Sequence, residues 1–145
     1  MHSVVYERTV RLGAEPEIVF WDLLEPGNVP DYDSRMRSWV PRSFPPSVGT
    51  VVDFEAKLGP LWSKGMSEFT AFDPPHHLEV QLVKPKTPLH STLAWFLSSA
   101  EPGTEFTYRF ESRTPRGMKW LGEWLVRSAT GHLDVELPAL ANRYE

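Results

Sequence analysis

Val10-Arg11-Leu12-Gly13-Ala14-Glu15-Pro16-Glu17-Ile18-Val19-Phe20-Trp21-Asp22-Leu23-Leu24 is the stretch on which the fold turns. It reads as the end of a strand running straight into a short helix. Upstream, Val4, Tyr6, Val10 and Leu12 share one parity and Glu7, Thr9 and Arg11 the other, which predicts a strand over Val4–Leu12. Pro16 suits a first helical turn, where its missing N–H leaves no bond unmade. Glu15 and Glu17 suit the positive end of the helix. Ile18, Val19, Phe20, Leu23 and Leu24 supply an apolar side, and Glu25-Pro26-Gly27 stops the helix.

Working outward, residues 28–47 read as irregular, with a second short helix across Asp33–Trp39. Strands then follow in quick succession. Thr50–Leu58 alternates, with Val52, Phe54 and Ala56 on one side. Leu61–Phe72 is the next, with an interruption expected near Gly65. Asp73-Pro74-Pro75 makes a turn, and Leu78–Val83 and Ser91–Ser98 alternate again. Glu101-Pro102-Gly103-Thr104 reads as a hairpin turn. Beyond it Phe106, Tyr108 and Phe110 oppose Glu105, Thr107, Arg109 and Glu111. The last segment, Met118–Tyr144, reads as one long helix. Gly122, Ala129, Leu133, Leu137, Leu140 and Tyr144 form its apolar stripe, Lys119, Glu123, Thr130 and Asp134 its polar side, and Pro138 is expected to kink it.

The alternation is one-sided, which belongs to an antiparallel sheet wet on its outer face. The inner face needs a cover, and the long last helix is the only large one available. The expectation is an α+β domain over residues 1–145. A curved antiparallel sheet of about seven strands wraps around a long C-terminal helix, with one or two short helices after the first strand. A pocket is expected between the sheet and that helix.

Composition narrows the function. A formal charge of -4 and scattered Lys and Arg argue against nucleic acid as a partner. The absence of cysteine removes disulfides, thiolate metal sites and a Cys nucleophile. No basic n-region followed by an apolar run opens the chain, and no stretch approaches the ~18 apolar residues of a membrane span. A cytoplasmic protein without stable membrane insertion is the expectation. Fourteen prolines favour strands with ordered connections over an all-helical chain. Six tryptophans in a small domain either fill a core or line a cavity.

In three stretches the chain resembles the START-like (SRPBCC, helix-grip) superfamily, in its polyketide cyclase/dehydrase and lipid-transport branch. Val10–Leu24 is similar to the family's strand-to-helix opening. Phe72-Asp73-Pro74-Pro75-His76-His77-Leu78 resembles its mid-sheet turn, and Gly103-Thr104-Glu105-Phe106-Thr107-Tyr108 its last hairpin. Leu137-Pro138-Ala139-Leu140-Ala141-Asn142-Arg143-Tyr144 resembles its final helix, although the family more often has an ordinary helix former where Pro138 stands. The resemblance implies a helix-grip fold. It covers carriers, aromatase/cyclases, hormone receptors and protein-binding adaptors, and it supplies no obligatory catalytic motif, cofactor or metal.

Inward parity makes Phe54, Phe69, Leu82, Leu93, Trp95, Phe106, Tyr108 and Phe110, with Leu125 on the last helix, the expected ligand-binding residues for a hydrophobic, lipid- or polyketide-like small molecule. Tyr108 carries a hydroxyl that can orient a polar group. His132 and Glu136, four apart on the helix, share a face and form the minimum of a general-base pair. His90, at a strand start, is placed at the pocket mouth. Tyr108, His90, His132 and Glu136 are therefore the candidates for proton transfer, should the pocket host a cyclase or dehydratase. Adjacent His76 and His77 point to opposite faces and do not share a metal; they read as exposed turn residues. Parity places Arg109 and Glu111 outside. Trp120 and Trp124, an i,i+4 pair off the main stripe, imply either a phase shift near Gly122 or Gly131 or a separate cover. A neighbouring loop is the first reading of that cover and a homodimer interface the second. An adaptor that binds protein through these tryptophans is the third functional class.

Overall fold

The computed structural model describes residues 2–145. The strands are β1 (His2–Leu12), β2 (Met36–Pro41), β3 (Val51–Leu58), β4 (Leu61–Asp73), β5 (His77–Lys84), β6 (His90–Ala100) and β7 (Gly103–Thr114). They form one antiparallel sheet in the order β1-β7-β6-β5-β4-β3-β2. Strands β2 to β7 are thus a simple meander, and β1 closes onto its far edge. Crossing from β1 to the opposite edge takes α1 (Pro16–Leu24), a 3₁₀ turn (Pro26–Asn28) and α2 (Val29–Tyr32). The chain ends in α3 (Lys119–Thr130) and α4 (Leu133–Arg143), which together make a long bent helix against the sheet. This is the curved sheet and long closing helix expected from the alternation.

Register carries the inward rows across the sheet. Leu93 lies opposite Phe110, Trp95 opposite Tyr108 and Leu97 opposite Phe106. Leu78 and Val80 continue those rows opposite Trp95 and Leu93. The sheet is covered in two different ways along its length. Under α1 the core is solid: Val19, Phe20 and Leu23 are fully buried, each such side chain contributing about 1.5–3 kcal/mol on burial. Phe20 packs on Phe72 and Trp95 at ring-centroid distances of 5.8 and 6.2 Å, and Trp95 continues to Phe106 at 5.5 Å. Under α3 the cover is looser, and the cavity described below lies there.

Helix α3 sits close to the sheet because Gly122 has no side chain. A Cβ there would overlap the Cγ2 methyl of Thr114 and touch Val4. The hairpin between β3 and β4 also needs a glycine, since Gly59 has a φ of +58°.

Several local expectations change. Asp33–Trp39 is not a helix: a four-residue α2 ends at Tyr32 and β2 begins at Met36. A bulge between Met36 and Ser38 breaks the two-residue period there, so the apolar residues fall three apart, as on a helix. Strand β4 runs unbroken through Gly65, and the irregularity expected there is a register shift against β5 between Met66 and Ser67. The Phe54 ring from β3 occupies the space a Cβ would need, so the glycine seats a ring rather than ending a strand. The last helix breaks at Gly131–His132 rather than at Pro138, which lies inside α4. Thr130, read as polar-side, is fully buried and its hydroxyl donates back to the Val126 carbonyl. Ile18, read as buried, is 57 % exposed.

Candidate functional site

Between the inner face of β2–β7 and helix α3 lies a cavity of about 150 Å³. Its walls are built by period: Met36 and Trp39 from β2, Phe54, Ala56 and Leu58 from β3, Val80 and Leu82 from β5, Leu93 from β6, Tyr108 and Phe110 from β7. Leu125 and Ala129, one turn apart on α3, form the roof. The polar groups are few: Ser67, Ser91 and Tyr108 on the sheet, and Asp33, Arg35 and Lys57 at the rim. Other grooves, such as the one lined by Val40, Asp53, Lys64 and Met66, are open depressions on the outer face and edges of the sheet.

Asp33 is the best-fixed polar group of the site. Its Oδ1 accepts a bond from His132 Nε2 at 2.6 Å and another from the Arg35 backbone N–H at 3.2 Å. The Asp33 and His132 side chains are only 14 % and 13 % exposed. Bonding to a carboxylate assigns the imidazole proton to Nε2 and leaves Nδ1, which is buried without a partner. Facing them, Tyr108 is buried and its ring meets Tyr6 edge-on at 6.3 Å. Burial pushes the Tyr108 phenol well above its usual range, and the negative Asp33 pushes it further. The hydroxyl therefore stays protonated at any ordinary pH and can donate.

The segment from Asp33 to Arg35 is fixed along the rim by several bonds. Besides the His132 bond, Glu136 accepts from the Ser34 backbone N–H at 2.8 Å and from the Ser34 hydroxyl at 2.6 Å. Arg35 Nη1 donates to the Gly59 carbonyl at 3.1 Å, linking the same segment to the β3–β4 hairpin.

Of the residues singled out from sequence, Phe54, Leu82, Leu93, Tyr108, Phe110 and Leu125 line this cavity. Phe69, Trp95 and Phe106 lie in the aromatic core beside it. His132 and Glu136 do not pair with each other; each holds the Asp33–Ser34 segment. His90 is exposed on the outer face, in a groove with Thr92 and Arg113. His76 and His77 each bond a β6 carbonyl, those of Leu97 and Trp95; His76 is exposed as expected, whereas His77 is half-buried. Trp124 stands beside the Gly59 turn and remains 45 % exposed, while Trp120 is 66 % exposed. Asp33, Arg35 and Trp39 were not foreseen. Asp33 meets His132 across 99 residues of chain, and no local pattern announces such a pairing.

Among the described residues no group of three or more His, Asp or Glu is placed to hold a metal ion. No helix among them is long and apolar enough to cross a membrane.

With this sheet order and closing helix, the chain has the helix-grip fold. No protein-family model matches the sequence, and no curated protein matches it. Solved structures do match. One is the ZhuI aromatase/cyclase from a Streptomyces species, with a TM-score of 0.76 and 12 % identity over 97 % of this chain and 92 % of that one. Another is a point mutant of norcoclaurine synthase from Thalictrum flavum, in complex with a transition-state analogue. It matches with a TM-score of 0.73 and 15 % identity over 99 % of this chain and 94 % of that one. A third is the di-domain ARO/CYC BexL, with a TM-score of 0.74 and 16 % identity. The match takes in 98 % of this chain but only 50 % of BexL, so the chain spans half the length of that protein. At such identities these likenesses speak for the fold alone.

Proposed function

We propose that the protein binds a hydrophobic small molecule in the cavity between the sheet and α3. The observation that carries this reading is the cavity itself. Protein interiors pack at crystal density with few voids larger than a water molecule. Here the chain fills the space under α1 with aromatic rings and leaves about 150 Å³ under α3. The walls are apolar, so water there has few partners, and apolar cavities of about this size in other proteins hold a molecule the size of benzene. Ser67, Ser91 and Tyr108 on the sheet and Asp33, Arg35 and Lys57 at the rim offer the polar contacts, the pattern of a site in which apolar area supplies affinity and a few polar atoms supply orientation.

A second reading, an enzyme of the cyclase or dehydratase kind working in the same cavity, draws support from the Asp33–His132 pair beside Tyr108. The likeness to an aromatase/cyclase and to norcoclaurine synthase lends weight to it. Native mass spectrometry of gently purified protein, followed by denaturing extraction, tests the first reading. A stoichiometric adduct lost on denaturation supports it and identifies the ligand class. A clean apo mass that persists after incubation with small aromatic compounds contradicts it.

A further inference from the structure

We infer that the cavity selects a single-ring ligand bearing a hydroxyl group, which donates to Asp33 while the ring fills the space beneath Leu125 and Ala129. This deepens the binding reading above and rests on it. Three observations carry the inference. The first is size: about 150 Å³ accommodates one ring, and a fused multi-ring molecule would have to extend out through the rim or displace α3, which Gly122 holds against Thr114. The second is the unsatisfied chemistry of the wall. Asp33 is held through Oδ1 alone; Oδ2 makes no bond to any described residue and is not among the sealed, unpartnered atoms. The Tyr108 hydroxyl likewise has no partner among the described residues and is not sealed off. An acceptor and a hydroxyl thus border one small apolar space. A ligand without polar atoms would strand both, and a ligand hydroxyl serves both by donating to the carboxylate and accepting from Tyr108.

The third observation concerns the cations at the rim. Arg35 and Lys57 could in principle draw in an acid instead. Yet Arg35 spends Nη1 on the Gly59 carbonyl, and the Lys57 ammonium lies 5.9 Å from the Trp62 ring centroid, leaving its methylene stem to wall the cavity. A carboxylate placed at Asp33 in the hydroxyl's stead would set two anions side by side and offer Asp33 no proton, so only a pose turned toward Arg35 would suit an acid. His132 is a positioning residue here: it aims Asp33 and does not itself line the cavity.

The test is calorimetric titration of the full chain with toluene, p-cresol and p-toluate, three probes of similar shape. p-Cresol is expected to bind at least about tenfold more tightly than toluene, since one charge-assisted bond is otherwise lost, and p-toluate more weakly than either. In Asp33→Asn, which keeps an oxygen for His132 but offers the cavity an amide donor, the charge-assisted bond is lost, so the preference for p-cresol over toluene should shrink and p-toluate should gain. Should Asp33→Asn not fold, Tyr108→Phe serves: it is expected to weaken p-cresol and leave toluene unchanged. Equal binding of toluene and p-cresol, or tightest binding of p-toluate, overturns this inference while the binding reading stands. No binding of any probe removes both.

Discussion

Substituting Gly122 by alanine sets two physical effects against each other, and the structure decides the sign. Gly122 is the fourth residue of α3. Helix propensity alone favours the change by about 1 kcal/mol, because glycine is the costliest ordinary residue in a helix interior. The space says otherwise. The new Cβ would overlap Thr114 Cγ2 and lie 3.4 Å from Val4 Cγ2. Thr114 cannot step aside easily, since it is fully buried on β7, a strand paired on both edges, and its hydroxyl donates to the His2 carbonyl at 3.3 Å. Restoring ordinary contact means lifting α3 by on the order of 1 Å, and overpacking of this kind costs about 1–3 kcal/mol. Gly122→Ala should therefore be net destabilising by about 1 kcal/mol, a fall in Tm of roughly 3 °C for a chain of this length. Urea denaturation followed by circular dichroism measures it. Thr114→Ser removes the opposing methyl and keeps the hydroxyl, so the double variant should recover about 1 kcal/mol relative to additivity. Stabilisation by Gly122→Ala, with no coupling to Thr114→Ser, would refute the reasoning, since propensity would then outweigh contact.

Three further outcomes follow from the same geometry. Ala129→Leu puts added carbons into the cavity roof; it should abolish binding of small aromatic probes by calorimetry while raising stability by about 0.5–1 kcal/mol, as cavity filling commonly does. Asp22 is held below the usual carboxylate range, first by Arg143, which donates to it at 2.8 Å, against an opposing effect of burial, and also by the Tyr144 hydroxyl at 2.6 Å. Its contribution is present above the unfolded value near 3.8 and lost as pH falls through the lower folded value. Asp22→Asn should then cost about 1 kcal/mol at neutral pH, the partial exposure of the pair being allowed for, and nothing in strong acid; urea midpoints across a pH series check this. Tyr6 is pushed from 10.0 up to about 12, first by burial and then by its hydrogen bond to Asp134. A raised value means that its stabilisation is complete below pH 10 and is lost between there and about pH 12. Alkaline unfolding of Tyr6→Phe should lack that component.

Much of this architecture is legible along the chain because it is periodic. One-sided alternation at Leu93, Trp95 and Leu97, and again at Phe106, Tyr108 and Phe110, points the same residues inward that the register pairs across β6 and β7. What escaped is aperiodic. The bulge between Met36 and Ser38 turns strand spacing into helix spacing, so an edge strand reads as a helix and Trp39 drops out of the expected site. Gly65 carries two meanings, strand breaker and ring seat, and only the partner strand with Phe54 distinguishes them. The candidate pair His132–Glu136 was drawn from helix spacing, yet each side chain finds a nearer partner in the segment after α2. That segment is remote in sequence and brought under α4 only by the crossing from β1 to β2. Pro138 is tolerated within α4, and the bend falls instead at Gly131–His132, one of the two positions where the off-stripe tryptophans called for a change of phase.

Methyl-resolved NMR of the labelled protein, titrated with p-cresol, tests the central claim most directly. Binding in the cavity should shift the methyl resonances of Leu82, Leu93 and Leu125, which line it, and leave that of Leu61, 69 % exposed on the β3–β4 hairpin, unmoved. Shifts confined to exposed methyls, or none at saturating p-cresol, would contradict a ligand site between the sheet and α3.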